Sequence, residues 1–318
     1  MNRRDLLKSS ALLMLASGTP AMARRKAPSL LGKDGPSVQL YMFEPDLNRD
    51  FDGTLAKIAA TGVRSVEISS LHRRSVAEFR IALDKAGLKC GSTHVAASSA
   101  VPGAGTSGLT FDDLDKLVDQ MTILGSRDAV LPLFQFPEDP KWGPPVPFTS
   151  LIRTDSPPLP AERYERMADF LNQTGAALKK RGVRIGYHNH NYELAPLGDK
   201  TGLQILLEGT DPRVVDFEMD AGWLAAAGQD PVEWLKRYPG RFTQMHVKDI
   251  AAGTTVNYHV RQKPTEVGSG IMDWPAILKV AKSAGVHSFF IEQEPPFTGP
   301  RIDSFIKSLS YLRTLEHA

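Results

Sequence analysis

The sequence predicts a closed parallel (β/α)8 barrel, and three observations carry that prediction. Eight short runs of β-branched and apolar residues alternate with stretches whose apolar residues recur three or four positions apart. Four helix-to-strand joints share one punctuation: Thr61-Gly62-Val63, Ala86-Gly87-Leu88, Arg181-Gly182-Val183 and Ala284-Gly285-Val286, where glycine takes the left-handed conformation that ends a helix. The Gly-rich phosphate loop of an open doubly wound sheet is missing after the first run, where Val38 to Phe43 leads into Glu44-Pro45-Asp46.

Residues 1–23 read as an address. A basic start with Arg3, Arg4 and Lys8, an apolar run from Ala11 to Ala16 and the small-residue end Ala21-Met22-Ala23 make a cleavable export signal, too short to span a bilayer. Asn2 to Lys8 resembles the twin-arginine motif, whose pathway exports folded proteins, so the expected location is the periplasm. Residues 24–35 are a linker, and residues 36–318 are expected to form one barrel domain. No later stretch offers about 18 uninterrupted apolar residues, so no membrane contact is expected once the signal is gone.

The strands are expected at Val38–Met42, Val63–Ile68, Leu88–Val95, Ala129–Leu133, Val183–His188, Val214–Met219, Phe242–Val247 and His287–Ile291. Between them, helical spacing is seen in Leu55-Ile58-Ala59, Phe111-Leu114-Leu117-Val118-Met121 and Met167-Phe170-Leu171-Leu178. The largest insertion, residues 134–160, follows the fourth strand and holds eight of the 23 prolines. Its place over the barrel mouth makes it a lid, a subunit contact in a homo-oligomer, or a plain surface loop.

Composition narrows the function. The chain has 318 residues, 42% of them hydrophobic, which is enough to fill a core. Its 38 basic residues against 36 acidic ones are too balanced for a protein built to hold phosphate backbones, so nucleic acid is not an expected partner. Removing residues 1–23 leaves basic and acidic residues equal in number. The single cysteine, Cys90, sits in the body of a strand as a core residue and excludes a Cys-based zinc site.

In such a barrel the chemistry lies at the C-terminal ends of the strands. His94 ends strand three, His188 and His190 strand five, Glu218 and Asp220 strand six, His246 and Lys248 strand seven, and Glu292 and Glu294 strand eight. Residues two apart share a face at about 6.6 Å spacing, so one member of each pair can bind a metal while the other reaches a substrate. The expected ligand set is His188, Asp220, His246 and Glu292, with His190 as an alternative first ligand. Mixed imidazole and carboxylate donors suit Mn²⁺, Zn²⁺, Co²⁺ or Fe²⁺ better than Ca²⁺.

The segments Gly186 to Glu193, Met219-Asp220-Ala221-Gly222-Trp223, Met245-His246-Val247-Lys248-Asp249, Val267-Gly268-Ser269-Gly270 and Phe290 to Glu294 resemble the sugar phosphate isomerase/epimerase family of xylose isomerase-like TIM barrels. Val38-Gln39-Leu40-Tyr41 and Val66-Glu67-Ile68 resemble its opening strands. The resemblance implies a divalent metal, Mn²⁺ foremost, and a carbohydrate substrate that loses a proton beside a carbonyl. It implies Glu292 as ligand and base; beside it, His94, His190 or Glu193 is expected to supply a second proton transfer, Lys248 a positive charge at the oxyanion, and Glu67, Tyr187, Trp223 and Glu294 substrate contacts. This sequence departs from the family at His188, which stands where its epimerases carry glutamate. The Tyr-His-Asn-His stretch is closer to inosose dehydratases and enzymes acting on 3-keto-glycosides, which makes elimination the alternative reaction. A non-catalytic periplasmic sugar-binding barrel is a further reading.

Overall fold

The computed structural model of the chain describes residues 29–33, 35–99, 108–133 and 148–316, and eight parallel strands among them close into a barrel. They are β1 (Ser37–Gln39), β2 (Ser65–Ile68), β3 (Lys89–His94), β4 (Asp128–Leu131), β5 (Arg184–His188), β6 (Val215–Asp220), β7 (Phe242–Val247) and β8 (Ser288–Ile291). Each pairs with its neighbours in chain order, and β8 closes on β1 through Ser37–Phe290 and Val38–Ile291. The main outer helices are α1 (Phe51–Ala60), α2 (Val76–Ala86), α3 (Leu114–Leu124), α4 (Ala161–Lys179), α5 (Gly202–Gly209), α6 (Pro231–Arg237), α7 (Trp274–Ser283) and α8 (Arg301–Leu315).

Local chemistry sets the element ends. Ser75 with Glu78 and Thr201 with Gln204 form reciprocal capping boxes that open α2 and α5. Gly62, Gly87, Gly182 and Gly285 all have positive φ, as the repeated punctuation requires. Six of the eight strands are shorter than their apolar runs, and two of these show why. β1 stops at Gln39 because its side-chain oxygen captures the Tyr41 amide at 3.0 Å and turns Leu40–Phe43 into a 3-10 helix. β4 stops at Leu131, before Pro132, which has no amide to give a ladder.

Alternation along the strands makes two cores. Tyr187, Phe217, Met219, Met245 and Val247 are buried against the helices, while His188, Glu218, Asp220 and His246 point into the barrel. Register shifts fall between Val66 and Glu67 and between Phe217 and Glu218. Each irregularity lies directly before a carboxylate that is aimed at the barrel axis, as bulges beside active sites often are. Cys90 is buried, and that burial pushes its thiol up to about 12, which keeps it an inert core residue.

Residues 1–28, where the export signal and the start of the linker are expected, lie outside the described residues, as does the insertion up to residue 147. The described remainder of the insertion opens with a short helix, Phe148–Ile152. No helix among the described residues is long and apolar enough to cross a membrane.

Candidate active site

The C-terminal ends of the strands converge on a cavity of about 810 Å³, whose lining includes His94, His188, His190, Trp223, Lys248 and Glu292. The β–helix joints build this wall. Asp220 ends β6 and accepts the Trp223 amide at 2.9 Å, capping the short helix Ala221–Ala226 and fixing the indole beside the site. Lys248 follows β7, with its Nζ 4.8 Å from the centre of the Trp223 ring.

His246 is the hub of the floor. Its Nδ1 lies 2.8 Å from Glu292 Oε2 and 3.7 Å from Asp220 Oδ2. Its Nε2 lies 2.6 Å from Glu67 Oε2 and 3.2 Å from Glu218 Oε2. His188 presents Nδ1 to Glu218 Oε2 at 3.0 Å, and its Nε2 is 3.8 Å from Asp220 Oδ2. His94 Nε2 reaches Glu218 at 3.2 Å and Glu67 at 3.4 Å, and Gln39 Nε2 donates to Glu67 at 2.6 Å. Above this floor the Lys248 ammonium lies 2.8 Å from Asp220, 2.8 Å from Glu292 and 3.1 Å from Glu294.

Burial opposes every charge here, and proximity of opposite charges overrides it for most of them. Burial alone would lower His246, but Glu218, Glu292 and Glu67 hold it well above its ordinary value. Burial alone would raise Glu218, but the His246 charge and the histidine hydrogen bonds hold it well below. Lys248 is likewise held charged against burial by Asp220, Glu292 and Glu294. Two imidazoles go the other way: burial, helped by His246, pushes His188 down to about 4, and burial, helped by His188 and Lys248, pushes His190 well below the ordinary range.

The donor set fits a divalent cation. Asp220, His246 and Glu292 offer ligand atoms that all lie within 4.8 Å of one another, and His94, His188, Glu218 and His246 form a second such group. Asp220 Oδ2 has no well-aligned donor despite the nearby ammonium, and Glu67 Oε1 and Glu218 Oε1 are also buried without a hydrogen bond. Glu67, Glu218, Asp220 and Glu292 are thus four buried carboxylates, faced by the Lys248 ammonium and by the His246 imidazole, which they hold charged until a cation takes its proton's place. The carboxylate oxygens left without a hydrogen bond are what such a cation would complete.

Of the expected ligands, Asp220, His246 and Glu292 come together, and His188 turns its Nε2 toward them while Glu218 holds its other nitrogen. His190, the alternative ligand, packs against Trp223 at 5.6 Å and Tyr192 at 5.8 Å, and its buried Nδ1 has no partner. Trp223, Lys248, Glu294 and His94 line the cavity as expected of substrate-facing groups. Glu67 lies beneath the His246 ring, away from the lining.

Two more expected residues lie outside the cavity. Tyr187, read as a substrate contact, precedes inward-facing His188 and so points to the helix layer, where its hydroxyl donates to Glu193 at 2.7 Å. Glu193, read as a proton carrier, spends its other oxygen on the His190 amide at 2.9 Å, behind the site. Burial pushes Glu193 up to about 7. The Gly268-Ser269-Gly270 turn, whose amides can cradle an anion, already has one: Asp249 accepts from Gly268 at 2.9 Å, Met272 at 3.3 Å and the Trp274 indole at 2.9 Å. Sequence reasoning passed over Glu218 as a partner of three histidines. Its position two residues before Asp220, level with His188 across β5 and β6, is the signal that finds it. Gln39 and Asn191 carried no such signal.

Comparison with known proteins agrees with this fold. The family described as Xylose isomerase-like TIM barrel matches residues 55–315. An inosose dehydratase from Clostridium perfringens is 23% identical over 288 residues, covering 85% of this chain and 92% of that protein. A sugar phosphate isomerase/epimerase structure from Parabacteroides distasonis superposes with a TM-score of 0.65 at 23% identity, covering 92% of this chain and 96% of that one. The apo 3-keto-D-glucoside 4-epimerase from E. coli superposes with a TM-score of 0.59 at 14% identity, covering 89% of this chain and 100% of that one. At these identities the solved structures speak for the fold, and the match over residues 55–315 speaks for descent: the chain belongs to the xylose isomerase-like TIM barrel family.

Proposed function

We propose that the protein is a divalent-metal-dependent enzyme that removes a proton from the carbon beside the carbonyl of a keto sugar. The observation that carries this reading is the Asp220–His246–Glu292 triad on the floor of a cavity whose wall holds an ammonium and a neutral imidazole. Asp220, His246 and Glu292 would hold the ion, with His188 Nε2 as the fourth donor. When bound, such an ion supplies Lewis-acid polarisation of the ketone oxygen.

The chain's own groups do the rest. Lys248 places a fixed positive charge at the mouth of the triad, where it stabilises negative charge developing on the substrate oxygen. His190 stays neutral, and its buried, unpartnered Nδ1 is a free proton acceptor in the cavity wall. Glu292 is held ionised by Lys248 and His246 and is better suited to binding than to carrying a proton. Trp223 and Glu193 keep the His190 ring in place, one by packing and one through the backbone amide.

Deprotonation is common to epimerisation, isomerisation and elimination. Elimination is favoured as the outcome by His188, which stands where a second carboxylate base would be needed for symmetric epimerisation, and by the likeness to inosose dehydratase. The export signal, read from Arg3 and Arg4, supports a periplasmic enzyme acting on sugars without phosphate. The test is incubation with 3-keto-glycosides and free ketohexoses in D₂O. The account expects metal-dependent deuterium uptake or loss of a leaving group, abolished by a chelator and by His190→Ala. Binding without exchange under any divalent metal would favour the sugar-binding barrel.

A further inference from the structure

One wall of the cavity is left unused by the reaction described above. It is the arm that leaves β7 after Lys248 and passes the mouth at residues 257–262, with His259, Val260, Arg261 and Gln262 in the cavity lining.

The arm is built, not merely present. Val260, a β-branched residue, sits at φ +53, a left-handed conformation that costs energy unless the surroundings impose it. The surroundings do so through two asparagines. Asn191, fully buried and next to His190, accepts the Val260 amide at 2.8 Å and donates to the Asn257 carbonyl at 2.9 Å. Asn257 accepts the His259 amide at 3.0 Å and donates to the Arg261 carbonyl at 2.8 Å. Val260 also packs on the cluster of Trp223, Ala226 and Ile250. The arm is therefore wired to the segment after β5 that carries His190 and to the indole beside Lys248.

What this rigid arm presents is unsatisfied polarity. Both polar atoms of the Gln262 amide are buried without a hydrogen bond, and the Trp223 Nε1 is as well. Buried polar groups are rarely left so unless something else completes them. An amide offers a donor and an acceptor side by side, which matches two neighbouring hydroxyls of a sugar. Arg261, exposed at the mouth, makes no ion pair among the described residues and adds further donors. Gln262 and Trp223 are neutral, and the floor below is rich in carboxylates, a combination that suits an uncharged polyol better than a phosphate. A cavity of about 810 Å³ has room for more than one sugar ring.

We propose that the arm 257–262 is a second carbohydrate subsite that holds the sugar unit joined to the reacting ring, so that a glycoside is preferred over a monosaccharide. This rests on the keto-sugar reading given above. The test compares 3-keto derivatives of maltose, cellobiose, trehalose and lactose with 3-keto-glucose, for the wild type and for Gln262→Ala and Val260→Gly. At least one disaccharide derivative should exceed 3-keto-glucose in kcat/KM by about tenfold or more. Both variants should shrink that ratio toward one, chiefly through KM. A monosaccharide processed as well as every disaccharide, or variants that lower both substrates alike, would overturn the subsite.

Binding of the unoxidised disaccharides, glucose and glucose 6-phosphate, followed by saturation-transfer NMR, reads the subsite without any chemistry. Disaccharide binding lost in Gln262→Ala supports it even where deuterium exchange fails with every probe, a result that would sink only the catalytic reading. Tighter binding of glucose 6-phosphate than of any disaccharide would overturn it.

Discussion

Glu193 holds the Tyr187 hydroxyl with one oxygen and the His190 amide with the other, in a place without solvent. Burial raises it from an ordinary 4.5 to about 7. A carboxyl raised on folding stabilises the fold fully below its unfolded value, and that contribution is lost as pH rises through the folded one. The protein should therefore lose on the order of 3 kcal/mol of stability between about pH 4.5 and pH 8 through this group alone. Glu193→Gln, which cannot ionise, should remove that slope, as measured by denaturant unfolding across the range. Parallel profiles for the two proteins would show that Glu193 titrates normally. The residue's role was not legible from its spacing: Tyr187-His188-Asn189-His190 reads as one polar stretch, and only the strand's alternation separates the inward His188 from the outward Tyr187.

Elements position the site through close approaches that leave no room for a side chain. Gly222, in the first turn of the helix after β6, lies where a Cβ would be 2.7 Å from Lys248 Cγ and 2.9 Å from the Lys248 carbonyl oxygen. Gly222→Ala should displace Lys248 from Asp220 and Glu292, with an overpacking cost of about 1–3 kcal/mol. Turnover should fall much more than melting temperature, and a variant with normal turnover would show that the ammonium's place is not critical. At this scale the sequence was most readable. Eight strands and the glycine turns follow from apolar runs and left-handed φ, and the histidines and carboxylates fall at strand ends because β–helix joints put them there. What stayed hidden was long range. The pairing of His246 with Glu67, 179 positions away, depends on barrel closure, which no local pattern encodes. The arm's grip on Asn191 spans 69 positions and is equally silent in the sequence.

The whole molecule is a nearly charge-balanced chain, 38 basic residues against 36 acidic, that gathers four buried carboxylates at one end of its barrel. Glu67, Glu218, Asp220 and Glu292 share a buried floor, and the hydrogen bonds among them and the histidines leave Asp220 Oδ2 without an aligned donor. Self-repulsion of this kind is tolerated when a cation completes it, and binding of that cation then adds to the stability of the fold. At a metal concentration a hundred times its dissociation constant, the gain is about 2.7 kcal/mol, a rise of several degrees in melting temperature. The most direct measurement is titration of metal-depleted protein with Mn²⁺, reading free ion by electron paramagnetic resonance and melting temperature on the same samples. The account predicts one Mn²⁺ bound per chain with a higher melting temperature, and neither effect in Asp220→Ala. No binding by the wild type, or binding by Asp220→Ala equal to it, would contradict the account.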